Sequence, residues 1–168
     1  MSTPLSEHLL SGGPGHAASE TFGRFVGSWS LEWSRPGDAA APEGAVGEVH
    51  FGWVLGGRAV QDVWTVPGPG QPGAGEAPYG FHGTTVRFFD EVLGAWRSTW
   101  IEPVNGRVRK FIGREVGDQI HLVSTDDAPF LRWRFTEIGP DRFVWLGEYS
   151  DDEARTWHLE ERMVARRR

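Results

Sequence analysis

The chain has 168 residues, a length that suits one domain with its own hydrophobic core. It contains no cysteine, which excludes disulfides, thiolate nucleophiles and thiolate-bound metals and fits a reducing compartment. The formal net charge of -6 disfavours nucleic-acid binding, because such proteins usually carry a basic surplus. With no signal-peptide pattern and no apolar run of membrane-spanning length, we expect a cytoplasmic protein that contacts neither nucleic acid nor membrane.

The N-terminal region divides into two parts. Residues 1–17 are rich in Ser, Gly, Pro and His without periodicity, so we predict a loosely ordered segment before a single domain over residues 18–168. Ser19 can cap a helix, and Phe22, Phe25 and Val26 then follow at helical spacing. A helix this short is not stable alone, so a short helix over residues 22–26 must pack on the rest of the domain.

From Trp29 onward, apolar and polar residues alternate with the period of a β-strand. Turn signals such as Gly56-Gly57, Asn105-Gly106 and Gly117-Asp118 separate the alternating segments, mostly at the 8–12-residue spacing of barrels and sandwiches. About ten strands joined by hairpins form an antiparallel meander, and closure of that meander removes its exposed edges. The sequence therefore predicts an all-β fold: a closed up-and-down antiparallel barrel of about ten strands with a short N-terminal plug helix.

One long loop interrupts the meander. Residues 68–73 read G-x-G-x-x-G, but a dinucleotide site needs a following helix whose amides face the pyrophosphate. Here Pro69 and Pro72 lack amide donors and a strand follows. We therefore interpret residues 67–78 as a loop at or near a mouth of the barrel.

Several short motifs resemble known barrel proteins. The segment Phe25-Val26-Gly27-Ser28-Trp29 carries the G-x-W pattern that opens the first strand of lipocalins and fatty-acid-binding proteins. In order and spacing, this segment, Leu55-Gly56-Gly57-Arg58, Tyr79-Gly80, the hairpin ending in Trp100-Ile101-Glu102 and Thr156-Trp157 resemble a bacterial family of lipocalin-like calycin domains of unknown function. The resemblance implies a ten-stranded barrel and no particular activity.

Two further expectations come from calycin relatives. Calycins often lay an Arg of the last strand across the G-x-W Trp. Arg162 is the candidate here, but its strand parity is opposite to that of Met163, so either a bulge intervenes or the pairing is absent. The ending Trp157-His158-Leu159 is similar to nitrobindins, which bind haem through a His on the last strand. Because His158 has outward parity, we keep a haem-binding function only as the least favoured alternative and expect no cofactor.

The interior of a barrel of this size is either filled by side chains or keeps one ligand cavity. Nine tryptophans allow both outcomes. We predict a cavity that binds an apolar or aromatic small molecule, since ligand pockets combine aromatic walls with a few polar groups. From strand parity we expect Trp64, Trp96, Trp100 and Tyr149 as walls and His82 and Arg87 as polar contacts. No His pair has ligand spacing, so we expect no metal site.

The alternative function is a cofactor-free cyclase or isomerase acting on a largely apolar substrate in that cavity. Asp62 is the first candidate acid or base because it shares a face with Val60 and Trp64, and Glu102 is the second. Arg87 and Lys110 are candidate partners for such buried carboxylates. An inward Asp62 facing an open cavity favours chemistry, whereas an Asp62 neutralised by Arg favours passive binding. The sequence leaves open the ligand and the formation of a homodimer.

Overall fold

A computed structural model describes residues 9, 13–15, 20–126 and 130–168. One helical turn, α1 (Glu20–Gly23), precedes ten strands. These are β1 (Gly27–Ser34), β2 (Ala45–Val54), β3 (Ala59–Val66), β4 (Phe81–Asp90), β5 (Ala95–Glu102), β6 (Arg107–Val116), β7 (Gln119–Ser124), β8 (Phe130–Thr136), β9 (Arg142–Ser150) and β10 (His158–Arg167). Each strand pairs with its sequence neighbours, and β1 pairs with β10. The predicted closed up-and-down antiparallel barrel is confirmed.

The helix closes one end of the barrel, as predicted, but it is shorter than expected. It ends at Gly23 because the chain must turn into β1, where Gly27 has a positive φ of 131°. A further turn follows, in which the Phe25 amide donates to the Phe22 carbonyl at 3.0 Å. Phe22 and Phe25 are fully buried, so this short segment acts as the plug. The predicted cap Ser19 and most of the loosely ordered segment lie outside the described residues.

The last strand, β10, holds the plug segment in place beside β1. Trp29 is paired with Arg167, whose guanidinium carbon lies 4.1 Å from the Trp29 ring centre. The same guanidinium donates to the carbonyls of Val26 at 2.9 Å and Arg24 at 2.8 Å. Of the two alternatives for Arg162, the pairing with Trp29 is absent, because Arg162 pairs with Ser34 on the opposite face of β10.

The connections between strands alternate between two ends of the barrel. The plug end holds α1 and the short turns after β2, β4, β6 and β8, whereas the open end holds the loops after β1, β3, β5, β7 and β9. A hydrogen bond joins the loops after β1 and β3 at the open end: the Tyr79 hydroxyl donates to the Asp38 carboxylate at 3.0 Å. The 67–78 loop accordingly lies at the open end. In the described part of the chain, no helix is long and apolar enough to cross a membrane.

Candidate ligand cavity

A cavity of about 400 Å³ occupies the barrel interior between the plug and the open end. It is bounded by the inner faces of β3 to β10. The lining side chains are predominantly aromatic and aliphatic, with arginines and glutamates toward the open end. They belong to Trp64, Val66, Phe81, Thr85, Arg87, Trp100, Arg107, Arg109, Leu122, Leu131, Trp133, Phe135, Trp145, Tyr149, Glu160, Glu161 and Met163, with Gly147 between them.

The aromatic rings leave this space open because they lie against the barrel wall. A Cβ on Gly83 would lie 2.5 Å from the Trp100 ring, and one on Gly147 would lie 2.7 Å from the Trp145 ring. The two glycines therefore provide the flat surface on which the rings rest. Trp133 packs on Phe111 with ring centres 4.2 Å apart. The tryptophans on this side of the barrel line a cavity instead of filling the core.

A buried ion pair lies at the deep end of the cavity. Asp62 and Arg87 are 0% and 2% exposed, and Arg87 Nη2 donates to Asp62 Oδ2 at 2.5 Å. The Thr85 amide donates to the other carboxylate oxygen of Asp62 at 2.9 Å. Arg87 lines the cavity but Asp62 does not. Asp62 thus points inward, as its parity predicts, but it is neutralised. The structure therefore places Asp62 in the Arg-neutralised arrangement, and not in the open-cavity arrangement expected of an acid or base.

The Glu102 carboxylate binds the backbone of the turn that follows β5. It is fully buried, and its carboxylate accepts from the Val104 and Asn105 amides at 2.7 and 3.0 Å. The Asn105-Gly106 signal does mark a turn, but the connection between β5 and β6 spans residues 103–106, and of the two signal residues only Gly106 has a positive φ. Glu102 does not line the cavity. Its assignment as a second catalytic group is corrected: this carboxylate holds a turn together.

The structure brings four of the six predicted ligand contacts together. Trp64, Trp100, Tyr149 and Arg87 all line the cavity. Trp96 has the predicted inward face, but it is packed edge-on against Phe22 at a centroid distance of 4.9 Å and belongs to the plug end.

The predicted ligand contact from His82 is also wrong. Along β4 the buried inner positions are Phe81, Gly83, Thr85 and Arg87, which places His82 on the exposed outer face. A side chain there cannot reach a ligand in the barrel interior.

Sequence reasoning missed the charged rim at the open end. Arg107 and Arg109 line the cavity there, and their shared parity with Phe111 was a readable signal. Glu161 also lines this region and is 8% exposed, not solvated as a strand end would be. Burial raises the pKa of the Glu161 carboxyl, repulsion from Glu160 raises it further, and Arg35 opposes both effects.

His158 lies outside the cavity. Its side chain is half exposed, and its ring packs on Tyr149 with centres 5.3 Å apart. Its Nε2 lies 3.7 Å from the Asp151 carboxylate. The register pairs His158 with Tyr149, so the bulge between Leu159 and Glu161 overturns the outward parity predicted for His158. Its half-exposed ring nevertheless lies at the start of β10 and is not among the side chains that line the cavity.

Comparisons with known proteins address the fold. No protein-family model matches the chain, and no curated protein matches it. Among solved structures, the chain is similar to Rv2717c from M. tuberculosis, with a TM-score of 0.57 and 13% identity over 91% of this chain and 98% of that chain. It is also similar to the S-type phycobiliprotein lyase CPES from Guillardia theta, with a TM-score of 0.50 and 14% identity over 92% of this chain and 94% of that chain. At these identities the likeness concerns the barrel fold alone.

Proposed function

We propose that this protein binds an apolar or aromatic small molecule in the barrel cavity and holds it without a chemical step. The observation that carries the proposal is the aromatic-lined cavity in the barrel interior, with a neutralised buried ion pair at its deep end. Its volume of about 400 Å³ falls in the range of small-molecule sites, roughly 300–1,000 Å³. Dispersion and desolvation of the ligand against Trp100, Trp133 and Trp145 supply the binding free energy.

Among the described residues, the carboxylate at the deep end has both oxygens engaged, which supports binding over catalysis. An acid or base must present an available oxygen to the substrate. Both carboxylate oxygens of Asp62 are occupied, one by Arg87 and one by the Thr85 amide. Asp62 therefore supports the cavity by orienting Arg87.

The test is a titration with N-phenyl-1-naphthylamine, an uncharged apolar fluorophore excited by Trp emission. We expect saturable energy transfer from the cavity tryptophans to the probe. Leu131→Trp places bulk inside the cavity and should abolish binding, whereas Val123→Trp adds the same side chain to the exposed outer face of β7. The control variant should bind like the wild type. Equal binding by both variants, or no saturable binding by the wild type, would refute the proposal.

A further inference from the structure

Arg87 has more hydrogen-bond donors than the surrounding protein has acceptors. Its guanidinium carries five N–H groups. Nη2 donates to Asp62, but Nε and Nη1 are buried and find no acceptor among the described residues. Ser98, the directly paired residue on β5, also has a buried hydroxyl without a partner among them. Buried polar groups in native proteins are nearly always hydrogen-bonded, so this pair of residues marks a place for a missing acceptor.

The position of Arg87 shows where that acceptor must come from. Its guanidinium carbon lies 4.6 Å from the centre of the Phe22 ring, which covers it from the plug side. Asp62 occupies Nη2 and does not line the cavity, whereas Arg87 does. Because Arg87 is one of the residues that line the cavity, we infer that an acceptor for Nε or Nη1 comes from the cavity side.

The charge of the site selects the chemical class of the acceptor. Asp62 and Arg87 form a pair without net charge. A carboxylate entering the cavity would add a buried negative charge close to Asp62 and would lose its hydration. A ketone, aldehyde, ester or amide oxygen accepts the same hydrogen bonds without adding charge. The other lining arginines, Arg107 and Arg109, lie at the open end with Glu160 and Glu161.

We propose that the ligand carries an uncharged carbonyl-type oxygen that accepts a hydrogen bond from Arg87 at the floor of the cavity. Its apolar body extends along the tryptophan wall toward the open end. This inference rests on the proposed binding function and deepens it by naming the ligand class.

The experiment compares three probes of similar shape: 2-acetylnaphthalene, 2-ethylnaphthalene and 2-naphthoate. Each is titrated into the wild type and into Asp62→Asn/Arg87→Met, a variant that removes the charged pair and keeps an acceptor for the Thr85 amide. The ratio of the hydrocarbon Kd to the ketone Kd should be at least about ten-fold higher in the wild type than in the double variant. This is the factor expected for a hydrogen bond from a charged donor. Using this ratio cancels the different water solubilities of the two probes.

A second measurement needs only the wild type. The infrared carbonyl stretch of bound 2-acetylnaphthalene, labelled with ¹³C, should lie well below its frequency in hexane because Arg87 donates to the oxygen.

The wild type should also bind 2-naphthoate more weakly than the ketone. In Asp62→Asn alone, where the positive charge of Arg87 loses its counterion, the preference should shift toward 2-naphthoate.

The outcomes separate the two proposals. Hydrocarbon binding with an unchanged Kd ratio in the double variant, or a carbonyl stretch at its hexane frequency, overturns the carbonyl inference alone and assigns the unpartnered nitrogens to water. An unchanged preference between 2-naphthoate and the ketone in Asp62→Asn also overturns it. No binding of any of the three probes overturns the proposed function together with this inference.

Discussion

The plug end and the cavity are both built from aromatic side chains, yet only one of them is filled. At the plug end, Phe22, Phe25 and Trp29 are at most 1% exposed and pack edge-on against neighbouring rings. In the cavity, Trp100 and Trp133 are only partly buried, pack against the core and line the open volume. The difference lies in what the chain inserts: the segment around α1 enters one end, and no described segment enters the cavity. Aromatic content alone therefore does not decide whether a barrel is solid.

The largest expected effect contrasts one tryptophan from each region. Trp29→Ala removes a fully buried ring that donates to the Phe25 carbonyl at 2.7 Å, so it should lower the free energy of unfolding by about 3–5 kcal/mol. Trp100→Ala enlarges a space that already exists and should cost clearly less. Urea denaturation of both variants measures the difference. Equal losses would show that the cavity wall is packed as tightly as the plug.

The second prediction tests the glycine surface on which Trp100 rests. In Gly83→Ala the new Cβ would lie 2.5 Å from the Trp100 ring and 2.7 Å from the Ile101 carbonyl oxygen. Such overpacking should cost about 1–3 kcal/mol and push the ring into the cavity, which weakens N-phenyl-1-naphthylamine binding. Gly113→Ala is the matched control on the inner face of β6, because its Cβ would meet nothing closer than 3.4 Å. A similar loss of probe binding in both variants would contradict the role of Gly83.

The third prediction concerns how the plug is held. Arg167→Lys keeps the charge but loses the planar group that lies on Trp29 and donates to several backbone carbonyls. It should lower the free energy of unfolding by about 1–2 kcal/mol, through lost hydrogen bonds and stacking. Arg166→Lys is the control, with the same change one residue away on the outer face. If the two variants unfold at the same denaturant concentration, Arg167 does not hold the plug.

Strand parity predicted most of the barrel interior, and its failures have local causes. Alternation placed Trp64, Trp100 and Arg87 on the inner face correctly. In β10, a bulge between Leu159 and Glu161 reverses the parity of the residues before it, so Leu159 is exposed although Glu161 is buried. Beyond the bulge, Met163 and Arg167 share one face, and this parity was available in the sequence. Arg167 lies in a run of three arginines whose pattern is typical of a solvated chain end, yet its guanidinium packs on Trp29.

The chemistry of the deep end could not be predicted to the same depth. Parity gives the direction of Asp62, but its neutralisation depends on which neighbouring residue reaches it. Register pairs Asp62 with Thr85 and Val60 with Arg87, so the ion pair runs diagonally between two strands. Arg87 was one of two candidate partners in the sequence. Only the three-dimensional arrangement distinguishes it from Lys110, which lies exposed on β6.

The smallest expected effect concerns the open end of the cavity and has a defined pH dependence. Burial is the main cause that raises the pKa of Glu161 in the folded protein, while Glu160, Arg35 and Arg107 are the charged groups that face it. An acid whose pKa is higher in the folded than in the unfolded state binds more protons when folded. Its ionisation therefore reduces stability as pH rises from the unfolded pKa through the folded one. This cost is absent below the unfolded pKa, which is about 4.3 for Glu.

Glu161→Gln removes that cost but keeps an oxygen that can accept from Trp33 Nε1, which lies 3.4 Å from Glu161 in the native protein. Arg35 keeps its 2.5 Å contact with Glu160. The variant should therefore have a higher Tm than the wild type at pH 7, and the two Tm values should converge as the pH falls toward 4. Glu160→Gln, at the neighbouring and more exposed carboxylate, weakens the ion pair with Arg35 while it relieves repulsion on Glu161, so its Tm at pH 7 should lie below that of Glu161→Gln. A lower Tm for Glu161→Gln at pH 7 would show that Arg35 stabilises the charged Glu161 by more than its burial costs. The open end would then be an ion-pair network like those on protein surfaces, and not a partly desolvated entrance to the cavity.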